Sequence, residues 1–65
     1  MSQKETKLKT TRQQKGLTQV QVAEKAKVTP VCYQRYEAGQ RLPRVDTAML
    51  IAEVLDSTVE ILFKG

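Results

Sequence analysis

Residues 16–39 read GLTQVQVAEKAKVTPVCYQRYEAG and contain two helix starts of one design, at Thr18 and Thr29. A threonine hydroxyl at either position can accept from an orphan amide of the first helical turn. An apolar residue precedes each cap and another occupies the fourth helical position: Leu17 with Val22, and Val28 with Tyr33. Such a pair staples the incoming chain and fixes its angle to the helix. Gln21, three residues after Thr18, completes a capping box, and Pro30 follows Thr29 where a helix tolerates proline best. The stretch predicts helices over about Gln19–Ala26 and Pro30–Ala38, joined by a turn of about three residues. Such a pair can carry one helix into a DNA groove.

Working outward, residues from about Lys4 to Lys15 favour a polar helix, with Leu8 and Arg12 on one face. Gly16 and Gly39 are placed to end the first and third helices in the left-handed conformation. Gln40 to Arg44 is a loop carrying Arg41 and Pro43. A fourth helix starts near Asp46 or Thr47 and runs to Leu55, with Ala48, Ile51, Ala52 and Leu55 as its apolar stripe. A short fifth helix, about Thr58 to Leu62, adds Val59, Leu62 and Phe63. No strand pattern competes and there is no repeat or linker. The expectation is an all-α domain of five short helices over 4–63, with flexible ends at 1–3 and 64–65.

Sixty-five residues allow one small core. Cys32 is the single cysteine and histidine is absent, so no disulfide can form within the chain and the usual zinc spacings and commonest general base are missing. No paired carboxylates converge, and the expectation is no enzyme, no cofactor and no small-molecule ligand. Neither a transmembrane run nor a signal peptide is legible, which points to the cytoplasm. Net charge is +4 and unevenly spread: ten basic against three acidic residues through Arg44, then one against four. That asymmetry is expected if one surface faces a polyanion, the alternative being an ordinary solvated surface.

With side chains about 100° apart, Tyr33, Tyr36 and Glu37 share one side of the third helix, and Val31, Gln34, Arg35 and Ala38 fall opposite. The second set suits the major groove. Arginine pairs with guanine O6 and N7, glutamine with adenine N6 and N7, and valine packs on a thymine methyl.

From Leu8 to Phe63 the chain resembles the Cro/repressor-type helix-turn-helix family of phage and bacterial regulators. Leu8 with Arg12, Gly16-Leu17-Thr18-Gln19, Val22-Ala23, Val28-Thr29, Tyr33 with Tyr36-Glu37 and Gly39, Arg41 with Pro43, Thr47, Ile51-Ala52, Leu55, and Val59 to Phe63 carry the likeness. It implies a lambda-repressor-like fold whose second and third helices bind double-stranded DNA. Pro30, Val31, Gln34 and Arg35 occupy the family's base-reading positions. Thr18, Gln19, Gln40, Arg41 and Arg44 match phosphate contacts, with the Tyr33 hydroxyl a further candidate beside its core role. Arg12 and Glu37 match an inward salt bridge. Lys27 and Asp56 stand where the family often has glycine, and a left-handed conformation there would cost about 1–2 kcal/mol for lysine and less for aspartate. Pro30 offers shape and apolar contact only.

The expected function is a sequence-specific transcriptional regulator, a repressor, acting as a homodimer on a pseudo-palindromic operator with half-sites roughly 34 Å apart. Met49, Leu50, Val59 and Phe63 are the candidate dimer surface, the alternative being that they only complete a thin core. The alternative is a small protein-interaction module, an antitoxin or phage antagonist, for which DNA is secondary. Cys32 is expected to be a small, half-buried filler.

Overall fold

The computed structural model describes residues 7–63, which form five helices. They are α1 (Lys7–Gln14), α2 (Gln19–Lys25), α3 (Pro30–Glu37), α4 (Val45–Val54) and α5 (Val59–Phe63). The expected start of the first helix over 4–6 and the ends at 1–3 and 64–65 lie outside the described residues.

The helix starts follow the threonines. The Thr18 hydroxyl accepts from the Gln21 amide at 3.1 Å, and the Gln21 side chain accepts from the Thr18 amide at 2.8 Å, closing the capping box. Thr29 accepts from the Cys32 amide at 3.2 Å, and Thr58 accepts from Ile61 at 3.1 Å. α4 starts at Val45, a residue earlier than expected, and Arg44 before it provides no side-chain cap. Asp46 instead accepts from the Thr47 amide at 2.9 Å and places a carboxylate at the positive end of the helix.

The stops are uniform. Behind each of the first four helices a residue of positive φ turns the chain: Gly16 (+72°), Lys27 (+62°), Gly39 (+75°) and Asp56 (+53°). Its amide and the next one bond back to the last turn. At Gly16 these are Gly16 to Gln13 and Leu17 to Arg12; at Lys27 they are Lys27 to Glu24 and Val28 to Ala23. This paired closure satisfies carbonyls that a helix end otherwise leaves open. Lys27 and Asp56 adopt it without glycine's freedom, at a steric cost that tertiary packing must offset.

The core is the one the stripes foretold. Leu8, Val22, Tyr33, Ile51 and Leu55 are its largest fully buried side chains, with Ala23, Ala26, Tyr36, Ala52 and Leu62 around them. The Tyr33 and Tyr36 rings meet edge to face, centroids 6.4 Å apart. α3 packs on α2 and α1, α2 also on α4, and α5 on α1 and α4. α3 is thus held from two sides, leaving its remaining face free. No helix among the described residues is long and apolar enough to cross a membrane.

Candidate nucleic-acid interface

The position of α3 begins with the short connection Ala26–Thr29. Val28, half-buried, packs on the core ahead of the Thr29 cap, as Leu17 does ahead of Thr18. Each staple ties the approach of the chain to the same core. The left-handed Lys27 supplies the change of direction between the two helices.

A buried ion pair then locks α3 to α1. Arg12 and Glu37 keep only 9% and 5% of their surface exposed. Arg12 Nε donates to Glu37 Oε2 at 2.5 Å, and Nη2 donates to Oε1 at 3.3 Å. The remaining Nη1 donates to the Leu17 carbonyl at 2.8 Å, so one guanidinium ties α1, the start of α2 and α3 together. Gln19 Nε2 donates to Glu37 Oε1 at 2.9 Å. Burial on its own would raise the Glu37 carboxyl, but hydrogen bonds from Arg12 and Gln19 and the Arg12 charge outweigh it and hold the group below the usual carboxylate range. The bond to Glu37 raises Arg12 in turn.

The opposite side of α3 is open. Pro30, Val31, Gln34, Arg35 and Ala38 are exposed, Val31 by 59%. Among the described residues, the Gln34 and Arg35 side chains make no hydrogen bond or ion pair. Gln40, Arg41 and Arg44 are also exposed, in the loop that follows the helix. Thr18 is exposed too, its oxygen already accepting from Gln21. Gln19 is half-buried, with its amide directed at Glu37. The sequence reading had missed this last contact, because nothing in the spacing joins position 19 to position 37.

Tyr33 requires a correction. Its side chain is fully buried and its hydroxyl has no accessible surface, so it cannot meet a phosphate. The hydroxyl lies beside Glu37 and Arg12 without a hydrogen bond of good geometry, and burial, then Glu37, pushes it far above an ordinary tyrosine. Cys32, half-buried, donates its thiol to the Tyr36 hydroxyl at 3.2 Å and so acts as a filler with a partner.

The candidate dimer residues divide. Met49 is 59% exposed, whereas Leu50, Val59 and Phe63 are half-buried and pack on the core. Met49, Leu50 and Val59 line one shallow groove with Asp46 and Glu53, and Phe63 lies outside it. Val20, Leu42, Val45 and Ile61 are exposed apolar residues the sequence reading did not single out.

A profile of the helix-turn-helix family matches residues 8–62. The chain is also 41% identical over 58 residues to a protein of Bacillus subtilis (strain 168) described as the uncharacterized HTH-type transcriptional regulator YqaE. That match covers 89% of this chain and 50% of the relative, so the chain spans about half of the relative's length. The chain belongs to the helix-turn-helix family.

Proposed function

We propose that the chain is a sequence-specific DNA-binding regulator of transcription, a repressor in the cytoplasm, that reads the major groove with the outward face of α3. The observation that carries this is the contrast across that helix. Its inner side is fixed by a buried ion pair and two tyrosines, while Gln34 and Arg35 extend outward with no partner among the described residues. Val31 and Pro30 beside them add apolar surface for thymine methyls. Gln40, Arg41 and Arg44, with Thr18 and Gln19, set the register on phosphates, which position the protein without reading sequence. So small a reading face favours a homodimer on a pseudo-palindrome, its half-sites about 34 Å apart. Met49, with Leu50, Val59 and Phe63, is the surface offered for that contact.

The acid-rimmed groove beside Met49 favours a second reading, a module that binds another protein. One experiment separates the two. Selection from random duplexes should enrich one site, and log K for it should fall linearly with log salt while staying well above log K for random DNA. Recovery of no site, with a stoichiometric protein partner captured instead, would favour the module.

A further inference from the structure

Glu37 is joined to two groups of different kinds. Arg12 spans both carboxylate oxygens, whereas Gln19 meets only Oε1. A carboxylate has acceptors alone, so the carboxamide of Gln19 must face it with nitrogen and turn its oxygen away. That nitrogen carries two hydrogens, and Glu37 takes one. Gln19 stands at the first position of α2 and is half-buried, with part of the residue enclosed and part in solvent.

We infer that Glu37 is a positioning residue for a phosphate contact: it holds the Gln19 carboxamide by one N–H so that the second N–H is presented outward to the DNA backbone. The inference rests on the DNA-binding reading above. A free glutamine presents its oxygen or its nitrogen to solvent indifferently, and the oxygen would repel a phosphate. Anchoring on the buried carboxylate removes that ambiguity and restrains rotamers that would otherwise be lost on binding. Negative charge on Glu37 also polarises the amide and strengthens its outward donation. The scaffold pair Arg12–Glu37 thereby orients a DNA contact without touching DNA.

The test measures affinity for the duplex obtained by site selection, using the full chain and four proteins: the parent, Gln19→Met, Glu37→Asp and the two together. Glu37→Asp keeps the charge opposite Arg12 but withdraws the acceptor by one methylene. Gln19→Met should weaken the parent about tenfold, the worth of a hydrogen bond to a charged group. Because the amide is neutral, the slope of log K against log salt should stay unchanged. In the Glu37→Asp protein the same change should cost less than about threefold, since the contact is already lost. A thermal melt checks that each protein is folded; if Glu37→Asp is not, Arg12→Met with Glu37→Met replaces it, as apolar exchange of a whole buried pair is commonly tolerated. Equal losses in both backgrounds, or no loss in the parent, would overturn the role of Glu37. A parent that selects no duplex would instead overturn the DNA-binding reading, before any variant is compared.

Discussion

The two faces of α3 obey different rules. Inward, Tyr33, Tyr36 and Glu37 are buried and tied to α1 and α2, and a change at any of them disturbs the packing. Outward, Val31, Gln34, Arg35 and Ala38 touch little, and a change there leaves the fold alone. A helix of eight residues can therefore separate stability from recognition within one turn. Inner substitutions should move the melting temperature, and outer ones should move only the affinity for DNA.

The strongest attack on this division is Glu37→Ala. It leaves the Arg12 guanidinium buried without its carboxylate and should cost about 3–5 kcal/mol, enough to unfold much of so small a domain. Urea unfolding followed by circular dichroism measures it; a loss below about 1 kcal/mol would show that the pair does not hold α3. On the outer side, Arg41→Ala should leave that unfolding curve in place. It should weaken binding to all duplexes alike and lower the salt slope by about one, as expected for a lost phosphate contact. A change confined to one sequence would move Arg41 to the base-reading set.

Acid sharpens the inner side alone. Glu37 titrates lower in the folded than in the unfolded chain, so its contribution to stability is full above the ordinary carboxylate value of about 4.3 and is lost as pH falls toward its folded value. Stability should decline below about pH 4 in the parent, and less steeply when Arg12→Met and Glu37→Met remove the pair together. Equal slopes would detach Glu37 from acid unfolding. The smallest effect belongs to the turn between the helices. Lys27→Gly relieves a left-handed lysine and should add about 1 kcal/mol, or roughly 4–8 °C in Tm, with the affinity for DNA unchanged.

Much of this division was legible in the residues. Thr18, Thr29, Gly16 and Gly39 announce helix ends because their chemistry acts locally, and the apolar stripes announce which sides are buried. The left-handed turn at Lys27 was not legible from lysine, whose side chain argues against it; tertiary packing overrides the local preference there. The Tyr33 hydroxyl followed the same logic in reverse, since a polar tip suggests solvent while the ring carries it into the core. Gln19 to Glu37 is a contact between distant residues, created only when α2 and α3 close on each other. Local chemistry is readable from the residues themselves; of the distant pairings, Arg12–Glu37 was reachable only through the family resemblance and Gln19–Glu37 not at all.

Arg35 puts the outward face to its most direct test. Arg35→Ala should melt with the parent and bind random duplexes as the parent does. For the selected site it should lose about 1–3 kcal/mol, or roughly 5- to 150-fold in Kd, with relaxed preference at one base pair. If Arg35→Ala binds the selected site as tightly as the parent and with the same preference, the outward face of α3 is not what reads the DNA.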